Sequence, residues 1–190
     1  MKRLLCSTAA LALAAVLAQA AAAPAAAPPG TATAVKPAVT GVRADILRQV
    51  DAARDKLMAL AEATPADKFT WRPNDKVRTI GEVYAHVAGG NYFIPTLWGE
   101  KPPEGINPRG FDKDAGDKAK TIATMKASFE HVQRIVEGTA DADLNKTIKI
   151  FDHEGTVREA LLIIATHEHE HLGQSIAYAR SIGIVPPWSQ

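Results

Sequence analysis

The sequence holds a single cysteine, Cys6, in 190 residues. Cys6 lies in what reads as a cleaved leader, so the mature chain has no disulfide, no thiolate ligand and no cysteine nucleophile, and any metal site must use His, Asp or Glu. Neither sign of charge dominates. Lys and Arg number 22 against 21 Asp and Glu, and loss of Lys2 and Arg3 with the leader leaves 20 against 21, a formal charge of −1. That balance gives no support for binding nucleic acid or a membrane surface. Long apolar runs are also lacking. The stretch from Ala9 to Leu17 is too short to be a persuasive spanning helix, and it follows the basic Met1-Lys2-Arg3 and precedes Ala18-Gln19-Ala20. This order is that of a secretory signal, which predicts an exported protein, periplasmic or secreted, with no membrane span after cleavage. Cleavage is expected after Ala20 or one of the next alanines, and residues 1–22 are assigned to the signal. Cys6 precedes the apolar core instead of following it at the cleavage site, which argues against a lipid anchor. Residues 23–40 are Ala, Pro, Gly and Thr with Lys36, Val35 and Val39, too little apolar surface to offset chain entropy, and are assigned to a disordered linker.

Residues 41–190 have the size of one ordinary domain, and their periodicity predicts helices. Ile46, Leu47, Val50, Leu57, Leu60 and Ala61 recur at helical spacing between Val42 and Ala63. After a loop holding Phe69, Trp71 and Pro73, Thr79-Ile80-Gly81-Glu82 has capping-box spacing and starts a second helix. Its stripe is Ile80, Val83, Val87 and Ile94. His86 sits beside that stripe and reads either as a satisfied core residue or as a ligand. Gly89, Gly90 and Pro95 predict a kink or an early end to this helix. From Gly99 to Lys113 prolines and glycines mark a long loop. Ile122, Met125, Phe129, Val132 and Val136 form the seam of a third helix ending at Gly138, with His131 off the seam and expected in solvent. Thr147 to Phe151 reads as extended, and His153 beyond it reads as a surface residue near enough to approach a site. Thr156-Val157-Arg158-Glu159 has the second capping-box spacing, and the fourth helix runs from near Val157 to about Ser181, stopped by Gly183.

The fourth helix carries His167-Glu168-His169-Glu170-His171. At about 100° per residue, His167 and His171 share a face one turn apart and His169 points nearly the opposite way. Paired imidazoles are a helical way to offer two nitrogens to a divalent ion, but a catalytic site needs a third protein ligand. The five residues satisfy both H-E-x-x-H and H-x-x-E-H, with Glu168 or Glu170 as base, yet zinc proteases of these kinds take their third ligand downstream. Nothing after His171 is Asp, Glu, His or Cys, which removes most of the weight from a protease. The pair continues the stripe Ala160, Leu161, Ile164, Ser175 and Tyr178. Burying two imidazoles is unfavourable unless their nitrogens are bonded or metallated, which favours ligands over incidental histidines on a solvated face.

Taken together, Trp71-Arg72-Pro73, Arg78-Thr79-Ile80-Gly81-Glu82 with His86, His167-x-x-x-His171-x-Gly173-Gln174, and the ending Arg180 to Trp188 resemble the DinB/YfiT-like superfamily, over nearly the whole domain. The resemblance implies an all-α four-helix bundle with His86, His167 and His171 as the ligands of one metal ion, and gives His169 no part. Characterised members include transferases and isomerases that use a small thiol. The function expected is an exported metal-dependent hydrolase or small-group, thiol-dependent transferase acting on a small molecule. Glu168, Glu170 and His153 are the candidate proton carriers. The alternative is a non-catalytic, metal-binding or stress-related bundle. Three imidazoles suit several divalent ions, with zinc or nickel the expected ones. The expected partner is a small-molecule substrate and not a nucleic acid, and a homodimer is compatible with the sequence.

Overall fold

Thr79 shows how local chemistry starts the helix that carries the first histidine. Its hydroxyl accepts from the Glu82 amide at 3.1 Å while the Glu82 carboxylate accepts from the Thr79 amide at 2.7 Å, a closed capping box. The computed structural model describes residues 38–189. The signal and most of the linker therefore lie outside the described residues. The four helices are α1 (Gly41–Ala63), α2 (Ile80–Phe93), α3 (Lys118–Gly138) and α4 (Val157–Ser181). None of the described helices is long and apolar enough to cross a membrane.

The amphipathic stripes meet in one core. Val50, Leu57 and Leu60 of α1, Val83 and Val87 of α2, Met125, Phe129 and Val132 of α3, and Leu161 and Ile164 of α4 are all buried. Each such side chain contributes roughly 1.5 to 3 kcal/mol relative to exposure. Helix α1 packs on α3 and α4, and α2 packs on the same two, so the order around the bundle is α1, α3, α2, α4. Helices adjacent in sequence, α1 with α2 and α3 with α4, are thus diagonal rather than packed pairs. The long connections make that arrangement reachable, and it places α2 directly beside α4, the two helices that bear the histidines.

An antiparallel hairpin interrupts the all-helical pattern. Strands β1 (Thr147–Ile150) and β2 (His153–Thr156) pair Thr147 with Thr156 and Ile150 with His153. The alternation is that of a half-buried strand: Ile148 and Ile150 face the core, and Thr147 and Lys149 face out. Thr156 then caps α4 by accepting from the Glu159 amide at 3.2 Å. Only half of that box forms, because the hairpin brings His153 within 2.8 Å of the Glu159 carboxylate, which is drawn there instead.

Helix α2 runs through Gly89-Gly90 and ends at Phe93, ahead of Pro95, as the proline predicts; a 3-10 turn, Ile94–Trp98, follows and accommodates Pro95. Its glycines serve close approach, since a Cβ at Gly89 would lie 2.6 Å from the carbonyl oxygen of Pro108 in the loop folded over it. One expectation is corrected: His131 is not in solvent. It is only 4% exposed, tucked against Tyr92 with ring centroids 5.1 Å apart. The α2–α3 contact extends around the seam far enough to cover it.

Candidate metal centre

Helix α2 presents His86, and α4 presents His167 and His171 one turn apart. Their ring centroids lie 4.6 to 4.9 Å from one another, each pair edge to face. One nitrogen from each ring can be chosen so that all lie within 4.8 Å of one another, a grouping that could hold a metal ion. Nε2 of His167 and Nε2 of His86 are 3.2 Å apart. Two ligands at about 2.0 to 2.1 Å in tetrahedral geometry would be separated by about 3.3 Å, so this pair already has the spacing of metal ligands.

The remaining contacts fix which nitrogens face inward. Nδ1 of His171 donates to Oε1 of Gln174 at 2.8 Å, leaving Nε2 with its lone pair free. Gln174 is held in turn, its Nε2 donating to the Tyr178 hydroxyl at 3.0 Å, and Tyr178 packs edge-on against Trp71. His167 has no such support; its buried Nδ1 has no hydrogen-bond partner. Its ring is held by packing on α2, where Gly90 offers no side chain.

Burial, with the neighbouring His171, His86 and Arg78 reinforcing it, brings His167 from the ordinary 6.5 down to about 3. Burial, then Arg78 and His171, brings His86 down to about 4, against a smaller opposing pull from Asp112 and Glu170. Both rings are therefore neutral at physiological pH, the protonation state in which imidazole ligates. The donor set, its spacing and the neutrality of His86 and His167 fit a divalent ion.

A cavity of about 510 Å³ opens beside the cluster, lined in part by His86, His167, Arg78, Glu170, Phe93 and Phe151. His171 does not line it and is mostly buried. The loop after α2 supplies one wall through Pro108, Arg109, Phe111 and Asp112, so it covers the opening without filling it.

The other sequence candidates separate clearly. Glu170 lines the cavity, one turn from His167. Glu168 is fully buried, does not line the cavity, and feels the charges of Asp51 and Arg54 on α1. A residue next to a ligand in sequence is turned about 100° away from it on a helix, which is why Glu168 faces a different neighbour. His153 is at the surface, held by Glu159, whose hydrogen bond, followed by that of Asp152, raises its pKa. His169 donates Nδ1–H to the Ala165 carbonyl at 2.9 Å and takes no part in the cluster.

Sequence reasoning gave Gly90 no role at the site. A Cβ there would lie 2.4 Å from Cε1 of His167 and 2.9 Å from its Nδ1. The available signal was a glycine pair inside a helix, one turn beyond His86, where a conformational reason for glycine is lacking. Gly90→Ala is expected to displace the His167 ring and lower metal affinity about tenfold or more. The fold should survive, because alanine is favoured over glycine by about 1 kcal/mol inside a helix. Metal titration beside a thermal melt of the metal-free protein checks both halves; unchanged affinity would show that the ring needs no such seat.

The architecture matches solved structures. A DinB-like protein from Bacillus subtilis, YjoA, superposes with a TM-score of 0.59 at 19% identity, covering 77% of this chain and 98% of that one. A DinB-like protein from Bacillus cereus ATCC 10987 gives 0.51 at 17% identity, covering 75% of this chain and 93% of that one. No curated protein matches. The family model for the DinB superfamily matches residues 49–175, a span that contains all three clustered histidines. The chain belongs to the DinB superfamily.

Proposed function

We propose that this is an exported, metal-dependent enzyme, a hydrolase or small-group transferase, that acts on a small molecule at a site formed by His86, His167 and His171. The observation that carries this reading is the cavity: three imidazoles converge beside an open chamber of about 510 Å³, which His86 and His167 line, instead of all being sealed in the core. A site meant only for stability is expected to be closed by a fourth protein ligand, whereas a catalytic one keeps a position for substrate.

The ion proposed is divalent, zinc or nickel, and when bound it supplies Lewis-acid polarisation of a substrate oxygen and lowers the pKa of water. The chain's own residues do the rest. Gln174 holds the inward tautomer of His171. Glu170, on the cavity wall one turn from His167, is placed to accept and return a proton. Phe93, Phe111 and Phe151 limit water at the rim. Carboxyl groups Glu168 and His153's partner Glu159 lie outside the cavity lining, which concentrates proton transfer on Glu170.

The test is a screen of ester, amide, phosphoester and thiol-conjugation substrates with protein whose metal content has been fixed by elemental analysis, using His167→Ala as the blank and Glu170→Gln as the proton-transfer variant. Activity in the wild type alone, reduced in Glu170→Gln with metal retained, is the expected outcome. Equal rates in protein and blank across the panel would favour a metal-binding bundle without catalysis. Export is supported by the basic, apolar and A-x-A order of the leader. N-terminal sequencing of the mature protein should begin near residue 21, and retention of Met1 would overturn export by this signal.

A further inference from the structure

We propose that the cavity over the histidines receives a small organic anion with a flat apolar body, of the arylcarboxylate class, its acid group held by Arg78 and its ring laid against Phe93 and Phe151. This rests on the same cavity being the substrate site, but not on the identity of the ion.

Arg78 precedes the cap of α2 and lines the cavity together with His86 and His167. Among the described residues no side chain forms an ion pair or hydrogen bond with its guanidinium. It is therefore a free fork of donors, suited to a bidentate carboxylate, at the histidine end of the chamber. The wider charge balance agrees. Arg78 and Arg109 offset Asp112 and Glu170 on the cavity wall, so the lining as a whole does not repel an anion.

Part of the chamber lining is aromatic. Phe93 and Phe151 lie nearly parallel, 23° apart in plane with centroids 6.5 Å apart, and the Arg109 guanidinium sits 5.7 Å over Phe93. Phe151 is 59% exposed. It also has φ of +48°, a region disfavoured for a bulky residue, at the tip between β1 and β2. A large aromatic side chain held in solvent on a disfavoured backbone, at the rim of a chamber, gains burial when a flat apolar ligand lies against it. The volume accommodates a single ring with a short substituent.

Benzoate and its neutral isostere benzamide are titrated calorimetrically into the full mature protein, as purified and after treatment with a chelator. Benzoate is expected to bind at least about tenfold tighter than benzamide. Arg78→Gln should abolish that preference while leaving benzamide binding in place, and Phe151→Ser should weaken both ligands. Elemental analysis should show unchanged metal in both variants, since neither residue is a ligand, and circular dichroism reports retention of fold. Equal affinity for the two ligands, or a preference that survives Arg78→Gln, overturns the proposal. A wild type that holds no metal removes the metal reading alone, because the comparison of the two ligands in metal-free protein still reads Arg78.

Discussion

Alanine in place of His86, His167 or His171 is expected to lower metal affinity by at least about a hundredfold, and alanine in place of His169 to leave it unchanged. The lower bound follows from the cost of disturbing groups behind a ligand, about ten- to a hundredfold, which loss of the ligand itself must exceed. His86 and His167 already present their Nε2 atoms 3.2 Å apart, so little rearrangement separates the metal-free site from a bound one. Removing one ring leaves two nitrogens beside the cavity. Glu170 is the nearest candidate by its place on the wall, and a carboxylate rescue through it would appear as a residual weak site lost in the His86→Ala, Glu170→Gln double variant. The control is unusually clean. His169 is two residues from both α4 ligands, yet its Nδ1 is committed to the Ala165 carbonyl at 2.9 Å. Competition titration against a chromophoric chelator measures all four variants. Metal lost from His169→Ala but kept by His86→Ala would refute the assignment.

Protons compete weakly at two of these positions. Burial and the adjoining Arg78 and imidazoles hold His86 at about 4 and His167 at about 3, so acidification from neutrality must go well below the ordinary 6.5 before either nitrogen is blocked. The same depression has a stability consequence for the metal-free protein. Between the ordinary and folded values the unfolded chain takes up protons that the folded chain refuses, so stability falls as pH drops through that window.

The parts of this site that follow one-dimensional rules were readable in the chain. Thr79 and Glu82 announce the start of α2, Thr156 announces α4, and the spacing of His167 and His171 places them on one face whatever the tertiary fold. That His86 joins them required the family resemblance, because nothing local distinguishes a histidine on a buried stripe that is satisfied from one that ligates. What spacing could not show is which helices become neighbours. The diagonal placement of α1 against α2 decides that α4 shares one side with α2 and another with α1. That division separates Glu170, on the cavity, from Glu168, in the core, although both flank the same histidines. His131 was misplaced for the same reason: its burial depends on how far α3 rolls toward Tyr92, a property of the pair and not of either helix. The hairpin, which sets Phe151 at the rim, was visible only as a short extended stretch, since a tip with positive φ at phenylalanine carries no glycine to mark it.

Glu168→Met is expected to stabilise the protein by about 2 kcal/mol near neutral pH, a rise in melting temperature of about 4 to 8 °C. Glu168 is fully buried, and neither carboxylate oxygen has a hydrogen-bond partner. Burial, with Asp51 adding and Arg54 opposing, raises its pKa well above the usual 4.5, so folding favours the protonated form of this carboxyl. An unpaired buried carboxyl is unfavourable in either form, and methionine fills similar length without a polar group. The pH dependence identifies the cause. As pH rises above the ordinary pKa the unfolded carboxyl releases its proton before the folded one does, so the folded state binds more protons and wild-type stability declines as pH rises from there. Methionine has no such slope. The gain should therefore be larger at about pH 8 than at about pH 5, and the contributions of His86 and His167, common to both proteins, cancel in the difference. Metal content should not change, because Glu168 lies off the cavity. Denaturant unfolding of both proteins at the two pH values measures the effect, and a variant less stable than wild type at both would mean that this carboxyl is held by partners whose loss outweighs the burial it relieves.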